Sequence, residues 1–464
     1  MTAPSRSDNA VPPYAGAYPM PQRKPSSRRA FLQSSAAAVT GGALVGSSLV
    51  DLAAAGGVHR QGDETVRIGL IGCGSRGSGA VKDSFVASTF ENGVPVKLVA
   101  MGDAFDFRLQ GAYQSITRSE QFAAMVDVPE DRRFVGLDAY KKVLACDVDM
   151  VILATPPGFR PQHFAAAVNA GKHVFMEKPV AVDAPGVRTV LEAAQLAKEK
   201  SLGVGVGLQR RHQTNYQETV KRLHDGVIGD IHTLRCYWNG GGVWTDRGRE
   251  AKRPERNSEM RYQVDNWYYF TWLSGDHIVE QHIHNLDVCN WVKNAFPVWA
   301  QGMGGREVRT SKDTGEIFDH HAVEFQYEDG SRMFSFCRHI PNCWDSVSEH
   351  CQGSKGDANI GGARINVNGE TPWRYRGERN APYRQEHFDL MASIKAGTPY
   401  NEAEVGAKSS MTAIMGRMAT YGGKALRWED ALNSEIRLGP EPGFTFETTP
   451  PTPFVAVPGI SEVV

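Results

Sequence analysis

The sequence predicts an α/β protein with a doubly wound parallel sheet in its N-terminal part and a large open, mostly antiparallel sheet in its C-terminal part. Three observations support this prediction. A glycine-rich turn follows a short apolar run at residues 66–77, strand-like and helix-like segments alternate to about residue 208, and longer strands with polar alternation follow. Alternating β and α units favour a parallel sheet with right-handed crossovers, whereas polar alternation favours an antiparallel sheet with one covered face.

The composition is that of a soluble globular protein long enough for two domains. The 464 residues include 41% hydrophobic and 22% charged residues, and the net charge is -1. This balance gives no sign of a nucleic-acid partner or of an anionic membrane surface. Seven scattered cysteines match neither a disulfide framework nor metal-binding C-x-x-C pairs, and Cys73 is read as a small space-filling residue.

The first 55 residues have the layout of an export signal. Arg28 and Arg29 precede a weakly apolar stretch at residues 36–50, which ends in the small residues 53–55. This pattern resembles a twin-arginine signal and predicts a periplasmic or secreted protein, exported folded and with no membrane contact in its mature form. The alternative is a disordered tail that contains an arginine pair by chance. Fold prediction therefore starts near Thr65.

The glycine-rich turn is the most informative motif of the chain. Gly72 allows a tight turn after the strand, Gly74 allows a close approach of phosphates, and Gly77 allows the next helix to pack against the strand. A second predicted strand, residues 96–101, leads to Asp103, about where an acid is expected to bind a ribose. These features predict a dinucleotide site, and the alternative is a purely structural glycine turn.

The remaining elements were assigned from apolar runs, periodicity and glycine or proline stops. In the first part we predict strands at 148–155, 172–176 and 203–208, and helices at 78–88, 164–170 and 187–200. In the second part we predict strands at 231–238, 298–303, 321–327 and 333–339, and helices at 386–396 and 403–425. The predicted divisions are residues 65–209 for the nucleotide-binding domain, 210–385 for the second domain, 386–430 for helices that pack back, and 431–464 for an extended tail.

Three blocks of sequence together resemble the Gfo/Idh/MocA oxidoreductase family. They are VRIGLIGCGSRG at 66–77, VILATPPGFRPQHFAAAVNAGKHVFMEKP at 151–179 and GDHIVEQHIHNLDVCNW at 275–291. The resemblance covers roughly residues 65 to 430. It implies a Rossmann domain followed by an α/β domain whose open sheet flanks the substrate cleft and often builds the oligomer, so we expect a homo-oligomer, either a dimer or a tetramer.

Lys178 is the first candidate catalytic residue. It lies at the carboxyl end of a predicted parallel strand, where ligands bind in such sheets. A lysine at this place can stabilise a developing alkoxide and share its proton. From the pattern alone, a lysine that merely caps the strand is an equal alternative, and the resemblance favours catalysis. In the family the bond between this lysine and the following proline can be cis.

The second candidate group is Glu280, His284 and Asp287, which would share one face of a single helix. His284 matches the catalytic histidine of the family, and histidine suits a general base. Glu280 lies four residues before His284, at a position where the family more often has aspartate. Its role as a catalytic partner is therefore open. His282 replaces a frequent glycine and is a candidate substrate contact. A metal bound by His277 and its neighbours, or a buried histidine network, are the alternatives; we expect no metal.

The other candidate residues surround these groups. Asn239, Trp244, Trp267 and Tyr268 could form a cleft for a sugar ring or could simply be core residues. The predicted substrate-binding residues are Arg210, His212, Tyr216, His282 and Asp287. The resemblance also implies which residues bind the cofactor. Besides the loop glycines and Asp103, they are Ser75, Arg76, Thr155, Pro156, His163, Glu177 and Lys178.

The predicted function is hydride transfer between a tightly bound nicotinamide cofactor and a hydroxyl group of a sugar, cyclitol or glycoside. Asp103 favours NAD, while Arg76 and Arg108 leave NADP possible. A tightly bound cofactor is expected because export leaves no pool of free NAD for exchange. One alternative is a redox-neutral, NAD-dependent glycoside hydrolase, and the other is a non-catalytic sugar-binding protein on a Rossmann scaffold.

Overall fold

A computed structural model gives the fold of residues 65–243, 258–311 and 314–464. The predicted leader, residues 1–55, lies outside the described residues, as does Trp244. Among the described helices, none combines the length and the hydrophobicity that a membrane crossing requires.

The first sheet has six parallel strands in the order β3-β2-β1-β4-β5-β6. The strands are β1 (Val66–Ile71), β2 (Val96–Asp103), β3 (Arg133–Val135), β4 (Met150–Leu153), β5 (His173–Met176) and β6 (Val204–Val206). Helices lie between them along the chain: α1 (Ser75–Ala87), α2 (Asp106–Thr117), α3 (Glu120–Ala123), α4 (Ala139–Ala145), α5 (Arg160–Asn169) and α6 (Ala184–Glu199). The strand order reverses between β1 and β4, and ligands bind outside the carboxyl ends of the strands at such a point.

The second sheet has nine strands in the order β14-β13-β12-β11-β7-β10-β9-β8-β15. Its pairs are antiparallel except for β7 with β10. The strands are β7 (Ile231–Gly240), β8 (Trp299–Gly305), β9 (His320–Gln326), β10 (Arg332–His339), β11 (Ser346–Gly353), β12 (Gly356–Asn359), β13 (Arg364–Val367), β14 (Trp373–Arg374) and β15 (Leu426–Arg427). In β9 and β10, buried residues alternate with half-buried ones, so one face is covered.

The helices of the second half cover that face and reach the first sheet. They are α7 (Thr214–His224), α8 (Glu259–Asp265), α9 (Thr271–Ser274), α10 (His277–Glu280), α11 (Ile283–Lys293), α12 (Pro382–Lys395), α13 (Ala403–Gly422) and α14 (Trp428–Asn433). Helix α13 is buried along nearly its whole length. A Cβ on Gly406 would lie 3.1 Å from Val206, and one on Gly416 would lie 2.9 Å from Phe325. Small residues therefore let α13 pack between the two sheets.

The predicted fold class is confirmed, and most predicted elements are present with shifted ends. Helix α1 begins at Ser75 rather than at 78, and α5 begins at Arg160 rather than at 164. Helix α13 ends at Gly422 rather than at 425, because Gly423 adopts a φ of 63° and ends the helix. The strands β3, β12, β13, β14 and β15 were not predicted because they are short, and β11 was not predicted because most of its eight residues are polar.

The prediction of a single helix through residues 280–287 is wrong. Helix α10 ends at Glu280 and α11 begins at Ile283, with a turn at Gln281 and His282. Glu280 and His284 therefore come from two consecutive helices rather than from one helix face. The turn directs the His282 side chain into the core, where its Nε2 lies 2.8 Å from the hydroxyl of Ser335.

Candidate active site

The glycine loop after β1 forms one end of a deep cleft. Gly72 adopts a φ of 98°, and a Cβ there would lie 2.5 Å from the backbone of Ala154. A Cβ on Gly77 would lie 2.0 Å from the carbonyl oxygen of Gly72, whereas one on Gly74 would meet nothing within 4 Å. Two glycines are thus required by packing, and the third leaves open space in front of the α1 N-terminus, which suits a pyrophosphate.

Asp103 ends β2 at the rim of the same cleft. Its carboxylate accepts hydrogen bonds from the backbone N–H groups of Cys73 (2.6 Å) and Phe105 (2.9 Å). Burial raises the pKa of Asp103, and these bonds and the charge of Arg108 oppose the rise. Each oxygen accepts one bond within the protein, so each keeps a lone pair for a ribose hydroxyl. The placement agrees with the role expected for this acid in a dinucleotide site.

Arg76, in the glycine loop, is held by carboxylates. Its guanidinium lies 2.6 Å from Glu177 and 3.3 Å from Asp83, and it stacks over the ring of Tyr383 at 4.8 Å. Ser75, Arg76, Glu177 and Tyr383 line the cleft. Because its charge is balanced by two acids, Arg76 is a weak candidate for binding an additional phosphate.

Lys178 and Glu280 meet at the other end of the cleft. The Lys178 Nζ donates to the Glu280 carboxylate at 2.9 Å and to the Glu280 carbonyl oxygen at 2.5 Å, and both side chains are only 10% exposed. The Lys178–Pro179 peptide bond is cis. Pairing offsets the cost of burying the two charged groups. The pair therefore fixes the Lys178 Nζ beside the Glu280 carboxylate where β5 and α10 end.

His284, at the start of α11, lines the cleft with Lys178 and Glu280. Burial holds its pKa well below 6.5, and the charges of Lys178, Arg210 and Arg76 add to this effect. The Trp238 ring stacks on the imidazole with centroids 6.0 Å apart. His284 is therefore a neutral imidazole at physiological pH and can accept a proton.

Arg210 also lines the cleft, and a buried acid neutralises it. Its guanidinium pairs with Glu349, whose carboxylate also accepts hydrogen bonds from Tyr216 (3.1 Å) and Asn285 (2.7 Å). Burial raises the pKa of Tyr216. Tyr216 does not line the cleft and instead supports the acid that holds Arg210.

Three more predicted substrate-binding residues are absent from the cleft lining, namely His212, His282 and Asp287. Asp287 accepts a pair of hydrogen bonds from Arg211 and one of 2.7 Å from the Ser409 hydroxyl. His212 lies between Asp389 at 2.6 Å and Glu402 at 3.1 Å. The side chains of both residues connect separate elements of the fold. Of the five predicted substrate contacts, the structure brings only Arg210 to the cleft.

The other predicted cofactor residues meet near the switch point. Thr155, Pro156 and His163 all line the cleft, and the Thr155 hydroxyl lies 3.2 Å from His163 Nδ1. Burial, with the charge of Arg160, lowers the pKa of His163 to about 3. The Tyr140 ring stacks on His163 at 4.2 Å. His163 is therefore a neutral polar group in an aromatic wall.

The metal alternative was considered for His277, Glu280, His282, His284 and Asp287. The structure disperses these residues, since Glu280 pairs with Lys178 and Asp287 with Arg211. Within the described residues, the candidate metal group is instead Asp276, His277 and His321, whose donor atoms lie within 4.8 Å of one another. The Asp276 carboxylate already accepts from the Tyr421 hydroxyl (2.6 Å) and a backbone N–H (2.9 Å). This arrangement is a buried hydrogen-bonded network beneath the cleft.

Several cleft residues were missed by the sequence analysis. Trp267 and Tyr268 had been suggested as aromatic contacts and do line the cleft, whereas Asn239 does not. The missed lining residues are Phe105, Tyr140, Phe159, Arg160, Gln209, Trp238, Asp265, Gln281 and Tyr383. Phe159, Arg160 and Gln281 lie within the blocks that carry the family resemblance, but no pattern indicated that their side chains reach the cleft. Tyr140, Asp265 and Tyr383 lie far along the chain from any motif, and Trp238 lies near the end of a predicted strand.

Comparison with known proteins agrees with the first half of this description. Residues 66–208 match the profile of the Gfo/Idh/MocA family, described as an oxidoreductase family with an NAD-binding Rossmann fold. The match and the strand order confirm the predicted NAD-binding Rossmann domain. Residues 66–208 are thus similar to the NAD-binding Rossmann domain of the Gfo/Idh/MocA oxidoreductases.

Inositol dehydrogenases are among its curated relatives. The inositol 2-dehydrogenase of Rhizobium meliloti (strain 1021) is 29% identical over 262 residues, which are 56% of this chain and 64% of that protein. The inositol 2-dehydrogenase of Klebsiella pneumoniae (strain 342) is 33% identical over 189 residues, 40% of this chain and 48% of that protein. The chain spans about half the length of the curated relatives it matches.

Solved structures share the fold over nearly their whole length. The aldose–aldose oxidoreductase of Caulobacter crescentus, complexed with glycerol, aligns with a TM-score of 0.59 at 18% identity and covers 78% of this chain and 99% of its own. An oxidoreductase of Agrobacterium radiobacter, in complex with NAD+, L-tartaric acid and magnesium, aligns with a TM-score of 0.56 at 15% identity and covers 78% and 98%. At these identities the likeness concerns the fold alone.

Proposed function

We propose that this protein is an oxidoreductase that transfers hydride between a tightly bound nicotinamide cofactor and a hydroxyl group of a neutral sugar or cyclitol. One observation carries the proposal. A cleft that begins at the glycine loop, with Asp103 at its rim, ends at Lys178, Glu280 and His284. A dinucleotide site and an acid–base group thus share one cleft, as hydride transfer from an alcohol requires.

The residues of the cleft fit a bound dinucleotide. The open space at Gly74 and the N-terminus of α1 suit the pyrophosphate, and Asp103 suits the adenosine ribose. When bound, the nicotinamide ring supplies the hydride acceptor or donor. The inositol 2-dehydrogenases among the curated relatives support the same assignment.

His284 and Lys178 divide the proton chemistry between them. The neutral His284 imidazole takes the proton of the substrate hydroxyl, which makes it the general base of the oxidation. The Lys178 ammonium stabilises the negative charge that develops on the same oxygen. Glu280 holds the ammonium in place through its 2.9 Å bond. In the reverse direction His284 returns the proton.

The charges of the cleft favour a substrate without charge. Lys178 is paired with Glu280 and Arg210 with Glu349, so neither pair adds net charge that would attract a carboxylate or a phosphate. Trp238, Trp267 and Tyr268 provide aromatic surface beside these pairs. Aromatic faces with a few fixed polar groups suit the rings of sugars and cyclitols.

The test is an absorbance measurement at 340 nm on the purified protein with a panel of cyclitols and aldoses. Reduced cofactor should form with at least one of them and fail to form in a Lys178→Met variant. Lys221→Met on the exposed face of α7 is the matched control and should behave as wild type. No reduction with any compound would contradict the proposal, and release of nitrophenol from an aryl glycoside would assign the hydrolase alternative instead.

Retention of the cofactor is part of the proposal and is supported by the wall of the cleft. Phe105 and Phe159 line the cleft, and two aromatic residues of the C-terminal tail pack against them. The Phe446 ring lies 5.6 Å from that of Phe105, and the Phe444 ring lies 5.7 Å from that of Phe159. A cofactor behind two aromatic layers should leave slowly. Protein passed through gel filtration should therefore still yield about one dinucleotide per chain on denaturation, and an empty protein would contradict this part.

Export and assembly are proposed on separate grounds. The leader at residues 1–55 carries the arginine pair of a twin-arginine signal, so we propose export of the folded protein; Arg28→Lys with Arg29→Lys should keep the protein in the cytoplasm. Trp344, in the loop before β11, is 64% exposed, and its ring lies 5.5 Å from that of Tyr237 on the open face of the second sheet. We propose a homo-oligomer through this face, which light scattering would show as a mass that is a multiple of the chain.

A further inference from the structure

The adenosine end of the cleft holds three charged side chains in a row. Asp103, Arg108 and Asp265 all line it, and the Arg108 Nη2 donates to the Asp265 carboxylate at 2.9 Å. Burial raises the pKa of Asp103, and the charge of Arg108 opposes that rise. The group therefore carries a net charge of -1 where a ribose hydroxyl or its phosphate would bind.

Asp265 is held in place by its own helix. It is the last residue of α8, whose first turn is capped by the Ser258 hydroxyl accepting from the backbone N–H of Arg261 at 3.3 Å. The Gln263 side chain accepts from the Trp272 indole N–H at 2.7 Å, and Arg261 stacks over Phe446 at 4.1 Å. A carboxylate on a braced helix can pair with Arg108 at low entropic cost.

Arg76, at the start of α1, cannot replace Arg108 as a phosphate-binding cation. Arg76 is paired with Glu177 and Asp83, as described above. A 2′-phosphate brings about two negative charges and needs an unpaired cation for tight binding. In this site it would face two carboxylates and an arginine that one of them already holds.

We propose that Asp265 is a specificity-determining residue: it withholds Arg108 from a 2′-phosphate and so makes the site select NAD over NADP. The inference rests on the proposed function, since it assumes that the cleft binds a nicotinamide dinucleotide. Asp103 contributes the attraction for the ribose hydroxyls, whereas Asp265 acts only through Arg108. Removing Asp265 should thus improve NADP binding without loss of NAD binding.

The experiment releases the bound nucleotide by unfolding the protein in urea, refolds the protein in an equimolar mixture of NAD and NADP, and identifies the nucleotides that it retains by extraction and mass spectrometry. Asp265→Asn should raise the bound NADP:NAD ratio about fivefold to tenfold, an effect sized for a partly exposed ion pair. Adding Arg108→Ala to this variant should remove the gain. Asp225→Asn, an exposed acid outside the cleft, removes the same charge and should leave the ratio unchanged.

The outcomes separate the inference from the function it rests on. If NAD binds but Asp265→Asn leaves the ratio at the wild-type value, the inference is wrong and the proposed function stands. The inference also fails if Asp225→Asn raises the ratio equally, because the effect would then be one of net charge. If neither dinucleotide accumulates on the wild-type protein, the proposed function itself is overturned.

Discussion

At the scale of single residues, the reaction depends on an imidazole that stays neutral beside cations. Burial and the charge of Lys178 both disfavour protonated His284. His284→Asn should therefore lower kcat about a hundredfold to ten-thousandfold, the usual range for losing a general base. Binding of NAD, measured by dialysis, should change by less than about twofold. A variant that keeps wild-type kcat would exclude His284 as the base.

The same residue determines the pH dependence of the oxidation. The neutral form is the active one, and its folded pKa lies well below 6.5, so activity is lost only as pH falls through that depressed value. The kcat/KM for oxidation should stay level as pH falls from about 8 through 6.5. A fall in kcat/KM centred near pH 6.5 would indicate a histidine whose pKa is not lowered. It would contradict the effect of burial and of the neighbouring cations on His284.

The motifs revealed single residues well but not their partners. Lys178, Glu280 and His284 were predicted from local patterns together with the family resemblance, and the structure brings them to one cleft. The Lys178–Glu280 pair joins residues 102 positions apart, which no local pattern encodes. His212 and Asp287 failed as cleft residues because their side chains point to partners supplied by later helices.

At the scale of elements, the junction of β1 and α1 sets the phosphate site. Gly77→Ala should prevent dinucleotide binding or folding, because its Cβ would lie 2.0 Å from a backbone oxygen of Gly72. Gly111→Ala in α2 is the matched control, since a Cβ there meets nothing within 4 Å. The control should raise the free energy of unfolding by about 0.5–1 kcal/mol in urea titrations. Wild-type NAD affinity in Gly77→Ala would contradict this reading of the loop.

Elements with strong periodicity or a stop signal were the ones predicted. The strands β4 and β5 are continuous apolar runs, and α6 is amphipathic with Asp183 as its cap. The strands β12 to β14 were missed because they are short, and β11 was missed because most of its eight residues are polar. The break between α10 and α11 was missed because helical spacing continues through a turn of two residues.

At the scale of the whole molecule, His212 links three parts of the chain. Burial opposes its charge, but the hydrogen bonds that it donates to the Asp389 and Glu402 carboxylates, and the charges of both acids, outweigh burial and raise the pKa to about 10. The folded pKa exceeds the unfolded value of 6.5, so the stabilisation is complete below about 6.5 and disappears as pH rises through about 10.

His212→Gln tests this link. The variant should lower the free energy of unfolding by about 2 kcal/mol at pH 6, with the difference from wild type shrinking towards pH 10. Urea denaturation at both pH values measures it, and His224→Gln on the exposed end of α7 serves as control. A difference that is equal at pH 6 and pH 10 would mean that the charged bridge contributes nothing.

Which cleft residues each half of the chain contributes could be predicted only in part. The glycine loop and Asp103 identified the dinucleotide end, and the order β3-β2-β1-β4-β5-β6 follows from alternating units. That Asp265 and Trp238 would complete the cleft from the second half depends on how α8 and β7 pack, which sequence spacing does not determine.

The most direct test of the central claim is the absorbance spectrum of the purified protein before and after addition of the cyclitol and aldose panel. The account predicts a dinucleotide band near 260 nm in the protein as isolated and a new band at 340 nm with a neutral substrate. The 340 nm band should be absent in His284→Asn. Protein with no nucleotide and no 340 nm band, even when NAD is added, would contradict the account.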